Sequence, residues 1–369
     1  MRIVDSSHRL TRRQILAAAL AGSSVWGAAS RAQGIAAKRK PIAVRRWDSG
    51  NDLLAPLTRF EERVLFAGNK TIGCINPDAP KLLWNVAHGF SDEAVYRPRV
   101  VNKTVVAGGL AELGAWDSAS GRHKWRHKAI TQIGVPWVTQ GLTYVGDGHE
   151  LLALDTSTGA LRWRFAGTPD TLASYAPTVS ANSVFFASGN GVLNALSLSD
   201  GRLKWTLDRS EEWQYLRQLY VSKDVLVAGS YKELLYGIST SDGKVLWTFN
   251  AGNFINSHHV AGDTAYLWSP TGWIYAIDIR NGDVRWRHQT TNYGQSASNW
   301  APMMAELVTH GGNLYALDMG NVLHVISIAT GAEVSRVEFS EALRPTVVPR
   351  DGGQAVVATE GGHIQRVRW

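Results

Sequence analysis

One motif recurs along this chain and limits the folds open to it more than any bulk property does. It reads Ala115-Trp-Asp-Ser-Ala-Ser-Gly121-Arg-His-Lys-Trp125, then Ala153-Leu-Asp-Thr-Ser-Thr-Gly159-Ala-Leu-Arg-Trp163. Further copies run Ala195 to Trp205, Gly237 to Trp247 and Ala276 to Trp286. The Trp always stands four residues after the Gly, and successive tryptophans are 38, 42, 42 and 39 residues apart. An earlier copy ends at Trp84 with Pro80 in the place of Gly, and a later one has Gly331 but Ser335 in the place of Trp. A unit of this size cannot bury its apolar face alone, so the 369 residues form a stacked array, not two or three independent domains.

Each part of the motif has a physical role. Short runs with period-2 alternation, such as Glu150–Leu154 and Trp273–Ile277, read as strands. The Asp or Ser that follows bonds its own backbone and starts a turn, and the Gly takes a positive φ at the end of that turn. The next strand carries the Trp, which is large enough to fill the gap between two sheets. Upstream lies a further strand pair. Ala176–Ser180, Ser183–Ala187, Val192–Leu198 and Leu203–Leu207 make four strands in about 40 residues, the size of a propeller blade.

Blades one to six end near Trp84, Trp125, Trp163, Trp205, Trp247 and Trp286, and blade seven ends near Phe339. The rest of the chain offers only three strands, Pro345–Val348, Gln354–Thr359 and His363–Trp369. An N-terminal strand, Pro41–Trp47, supplies the fourth and makes Trp47 the docking residue of that blade. The sequence therefore predicts an all-β, eight-bladed β-propeller of four-stranded antiparallel blades over 34–369, closed by an N-terminal strand in the last blade. Closure removes the open sheet edge. A seven-bladed ring would leave the terminal strands unexplained.

The formal net charge of +7 and pI near 9.5 suggest a polyanion partner. The first 33 residues change that reading. Arg12-Arg13 precede an apolar run from Ile15 to Trp26 and small residues around Ala32, the layout of a cleavable export signal. The order Thr-Arg-Arg-Gln-Ile-Leu is Tat-like, the twin-arginine type. Cleavage near Ala32 leaves 33 Lys and Arg against 30 Asp and Glu, a formal +3, so no nucleic-acid partner is expected. No other apolar stretch approaches 18 residues, so no transmembrane helix is expected in the mature chain. The expected product is a soluble periplasmic protein of a Gram-negative bacterium, a monomer by itself.

The form Ala-Leu-Asp-x-x-Thr-Gly-x-x-x-Trp, clearest at Ala153–Trp163, resembles the tryptophan-docking repeat of the PQQ-like propellers, and the resemblance covers 41–369. That family has a short branch of BamB-like propellers, which serve outer-membrane protein assembly. Its long branch is the quinoprotein dehydrogenases, which bind pyrroloquinoline quinone and calcium on the propeller axis. Length and blade count match the short branch. The single cysteine, Cys74, leaves no lipoprotein cysteine after the signal and excludes the adjacent cysteine pair of the dehydrogenases. The resemblance thus implies a periplasmic scaffold with a periplasmic or outer-membrane protein partner. The alternative it implies is a quinoprotein-like oxidoreductase or ligand-binding propeller. No cofactor is predicted; pyrroloquinoline quinone stays open as the cofactor of the alternative reading, without a ligand motif in the sequence to support it.

The innermost strand of most blades begins near a proline: Pro56, Pro98, Pro136, Pro177, Pro302 and Pro345. Residues just before it should face the funnel mouth, which places Arg97, Tyr175, Trp300 and Arg344 there. Blades five and six lack the proline and offer Arg217, His258 and His259. An arginine-rich mouth suits carboxylates or phosphates. Adjacent on a strand, His258 and His259 point to opposite faces, and no metal site is expected. Cys74 lies in an apolar strand as a buried small hydrophobe. The insert Thr290–Trp300 lengthens blade seven and is a candidate recognition loop. No phosphate-binding Gly loop or activated nucleophile stands out, so no catalytic residue is assigned.

Overall fold

The computed structural model describes residues 36–369 apart from 170, 174, 190, 212–215, 231, 232, 253, 254, 256, 270 and 291–305, and apart from the side chain at 217. The export signal lies outside the described residues. Every regular element among those described is a strand.

The strands form eight separate sheets, each built on four antiparallel strands, which are sequential in seven of them. Blade one is Thr58–Phe60, Arg63–Ala67, Thr71–Ile75 and Leu82–Ala87, from axis to rim. Blade two starts on the axis at Arg99–Val101, blade three at Trp137–Thr139 and blade four at Thr178–Ser180. Blade five starts at Leu216–Ser222, blade six at Ser257–Ala261 and blade seven at Glu306–His310. The eighth blade takes Leu343–Arg350, Gln354–Thr359 and His363–Arg368 from the C-terminus. It takes its rim strand, Ile42–Asp48, from the N-terminus. Trp47 faces Ile364 across that last pair. The predicted ring and its closure are thus the observed ones.

One strand lies beyond the predicted set. Lys38–Arg39 pairs in parallel with Glu333–Glu338, so blade seven carries a fifth strand at its rim. Ala36 N donates to Glu333 Oε2 (3.2 Å) beside it.

The core lies between blades, as the docking logic requires. Val106, Leu113 and Ala115 of blade two pack against Val145, Leu152 and Leu154 of blade three, with Trp125 among them. At six joints an indole Nε1 donates to a carbonyl of the next blade. The pairs are Trp84–Ser118 (3.0 Å), Trp125–Thr156 (2.8 Å), Trp163–Leu198 (3.1 Å), Trp205–Thr240 (3.1 Å), Trp247–Ile279 (2.6 Å) and Trp286–Ile328 (2.8 Å). The acceptor is always the third residue before the motif glycine. That glycine does two jobs. Gly159 has φ +76°, and a Cβ there would lie 2.8 Å from the Trp125 ring, so it is both turn and seat for the indole. Cys74 is buried, and that burial pushes its thiol up to about 12.

Candidate functional site

Two places on the propeller combine unusual chemistry with defined geometry: the axial channel, and the loops at the end where the inner strands begin.

Side chains from opposite parts of the ring meet on the axis. Arg97, just before the inner strand of blade two, donates to Leu57 O (2.5 Å) and forms an ion pair with Glu306 of blade seven. Blades two and seven are three joints apart in a ring of eight, so this pair crosses the channel near the mouth. At the far end of the inner strands, Arg59 Nη1 lies 3.3 Å from His310 Nδ1, and His310 Nε2 lies 2.9 Å from Asp351 Oδ1.

Between these two levels stand Arg99, Tyr220 and His259. The Arg99 guanidinium lies over the Trp137 ring, 4.9 Å from its centroid. His258 turns toward blade five, against Gly229, and His259 turns toward blade seven, 3.3 Å from Thr309 Oγ1. Both imidazoles meet Tyr220 edge-on, at 5.2 and 5.7 Å. Burial, helped by the Arg97 charge, lowers His259 to about 4, so it is neutral. Burial, with the Glu306 charge, pushes Tyr220 up to about 12.

Of the residues expected at the mouth, Arg97 and Arg344 are both engaged by a neighbouring blade, Arg97 through Leu57 O and Arg344 Nε donating to Leu54 O (2.9 Å). Burial lowers the Arg344 pKa. Tyr175 stands half-buried just before Pro177. Arg217 belongs to the inner strand of blade five, but its side chain lies outside the described set, as do Trp300 and most of the 290–300 insert. The proline rule stopped one residue short. Reading the residue after each proline as well brings up Arg99 and Trp137, which are neighbours on the ring.

The second place was not signalled by the repeat. Where outer strands return to the axis, the loops of blades one to four are tied to one another. The buried Asp147 carboxylate accepts from Ile130 N (2.9 Å) and Thr131 N (2.9 Å) and lies 3.2 Å from His127 Nε2. Ile133 N donates to Leu110 O (2.7 Å), Gly148 N to Gln132 O (2.8 Å) and Ala173 N to Gly148 O (2.8 Å). The Tyr96 hydroxyl donates to Ile133 O (2.7 Å). On this fixed backbone Ile130 is 77% exposed, Leu110 49%, Leu172 41% and Val95 37%. Apolar side chains held out on a hydrogen-bonded frame are pre-organised for a partner, because little entropy remains to be lost on docking.

The architecture defines a PQQ-like propeller of the tryptophan-docking type. The family described as outer membrane protein assembly factor BamB matches residues 109–220 and 218–320, and the chain belongs to that family. Among solved structures, BamB from Moraxella catarrhalis aligns with 16% identity over 90% of this chain and 98% of its own, with a TM-score of 0.67. A computationally designed propeller, Ika8, aligns with 15% identity over 91% of this chain and 100% of its own, with a TM-score of 0.73. The quinohemoprotein alcohol dehydrogenase of Comamonas testosteroni aligns with 13% identity over 89% of this chain and 76% of its own, with a TM-score of 0.69. These likenesses establish the fold. A comparison with curated proteins gives no match.

The axial residues do not suit the calcium-bound quinone of the dehydrogenase branch. Calcium takes six to eight oxygen ligands. Here Glu306 is held by Arg97, the cationic Arg99 and the imidazole of His259 stand beyond that pair, and no group of three or more metal-ligating side chains occurs among the described residues.

Proposed function

We propose that this protein is an exported periplasmic scaffold that docks a protein of the outer-membrane assembly machinery through the loops of blades one to four. The observation that carries the reading is Ile130, 77% exposed, on a loop whose backbone is fixed by a buried carboxylate. Membership of the BamB family supports it. So does the Arg12-Arg13 leader, and among the described residues no helix is long and apolar enough to cross a membrane. An exposed apolar side chain on a loop of fixed backbone loses little entropy on docking, which suits it to an interface.

Co-purification from periplasm tests this. Wild-type protein should recover a partner, and Ile130→Asp should reduce recovery at least tenfold. The urea midpoint should move little, because a surface change of this kind shifts stability by about 0.5 kcal/mol or less. Wild-type chain recovered alone, or a partner retained fully by Ile130→Asp, would refute the proposal.

A further inference from the structure

We infer that the axial channel is a binding site for a small carboxylate monoanion, gripped by the Arg99 guanidinium and the Tyr220 hydroxyl.

Arg99 sits on the inner strand of blade two, well inside the ring. Its Nε is buried and has no hydrogen-bond partner among the described residues. Its two terminal nitrogens also make no hydrogen bond or ion pair there, so five N–H donors are unspent. The Trp137 ring occupies one face of the guanidinium. That contact holds the guanidinium over the indole, and its N–H groups, with no partner among the described residues, are available to a ligand.

The surrounding charges do not compensate it. Glu306 is paired with Arg97, which cancels both. His259 and Tyr220 are neutral for the reasons given above. Burial lowers Arg99 to about 10, so it still carries its charge at neutral pH. Among the described residues, the level of Arg99 therefore holds one half-buried positive charge without a counter-ion of its own, which favours an anion there.

Shape and charge choose the anion. A carboxylate offers two coplanar oxygens to the guanidinium fork and one negative charge, which balances the surplus. A phosphate dianion would overshoot it, and chloride would leave the fork half used. The Tyr220 hydroxyl, with no acceptor among the described residues and no tendency to ionise, supplies a further donor from the other side of the axis. The site owes nothing to the loop platform and stands or falls separately from the docking proposal.

Titration of the full chain with acetate, benzoate, inorganic phosphate and chloride at constant ionic strength tests it, read by calorimetry and thermal shift. Acetate or benzoate should bind saturably and raise the melting temperature, with phosphate and chloride weaker by tenfold or more. Arg99→Met should lose at least tenfold in acetate affinity and Tyr220→Phe several-fold, while the surface change Arg202→Gln should lose none. In anion-poor buffer Arg99→Met should melt above wild type, because it removes the unbalanced charge. A lower melting temperature there would assign Arg99 to packing on Trp137 and overturn the inference. So would equal acetate affinity in wild type and Arg99→Met, or a preference for phosphate or chloride. If Arg99→Met does not fold, undiminished acetate affinity in Tyr220→Phe overturns it instead.

Discussion

Trp125 and Trp47 allow the docking bond to be weighed by two substitutions in one protein. Both indoles are buried, at 7% and 3% exposure, and both sit among apolar side chains of two blades. They differ at one atom. Trp125 Nε1 donates to the buried carbonyl of Thr156 at 2.8 Å, whereas Trp47 Nε1 is buried with no acceptor among the described residues. Replacing either by Phe removes a similar amount of aromatic surface. In Trp125→Phe the hydrogen bond goes too and Thr156 O loses its donor, which costs about 1–2 kcal/mol beyond the packing loss. In Trp47→Phe an unpaired buried donor disappears, which recovers about 1 kcal/mol or more. Trp125→Phe should therefore be the less stable variant by about 2 kcal/mol. Urea unfolding followed by tryptophan fluorescence and far-UV circular dichroism gives the comparison, with m-values required to match. Equal midpoints, or a lower midpoint for Trp47→Phe, would show that the indole–carbonyl bond does not strengthen the joints.

Two further substitutions probe the glycine seat and the polar interior of blade seven. Gly159→Ala should cost about 3 kcal/mol, because it adds steric conflict with Trp125 to the strain at φ +76°. Gly252→Ala, at φ +72° with nothing described within 4 Å, should cost only about 1 kcal/mol, and equal urea midpoints for the two would refute the seat. His324 is fully buried, 2.7 Å from Glu333 and 3.4 Å from Asp318. Burial opposes its charge, but hydrogen bonds and attraction from both carboxylates outweigh it and raise its pKa. Its contribution is then complete below the ordinary histidine value and fades as pH rises through the raised one. His324→Gln should cost about 3 kcal/mol at pH 6 and progressively less toward pH 9, and a cost independent of pH would contradict this.

The ring was legible in the sequence because docking is written in rare residues at fixed spacing. A Trp four places after a Gly, repeated about every 40 residues, leaves few architectures, and the strand deficit at the C-terminus pointed to Ile42–Asp48. The candidate sites were less legible. Arg97 and Glu306 are 209 residues apart and meet only because the ring curves through three joints. Ile130 lies in a loop, where apolar residues carry no periodic signal. Its significance depends on Asp147, a carboxylate 17 residues away that holds the loop from beneath. The parallel pairing of Lys38–Arg39 is too short to show as a pattern.

The two joints beside the closing blade break the repeat's own rule, and they break it in a connected way. At six joints the acceptor is the carbonyl three residues before the motif glycine. In blade one the glycine position is Pro80, and the corresponding carbonyl is that of Pro77. Trp47 does not reach it. Arg366 of blade eight takes it instead, through Nη1 at 3.2 Å, and also pairs with Asp78, to which Arg350 adds a second ion pair at 2.8 Å. On the other side of the blade Ser335 stands where a Trp would dock. At the seam with blade one a guanidinium thus takes the carbonyl that an indole takes elsewhere, while Trp47 still packs between the two blades. Closure has a problem that the other joints lack, since Ile42–Asp48 comes from the opposite end of the chain and must find its register. A slip of one residue would turn Trp47 out of the core and carry Arg46 away from Glu341, which it now holds at 3.0 Å. The buried Trp47 and the Arg46 pair therefore specify the same register. Where the tryptophan bond is missing, the Arg366 and Arg350 pairs with Asp78 tie blade eight to blade one, and Trp47 with Arg46 holds the closing strand in one register.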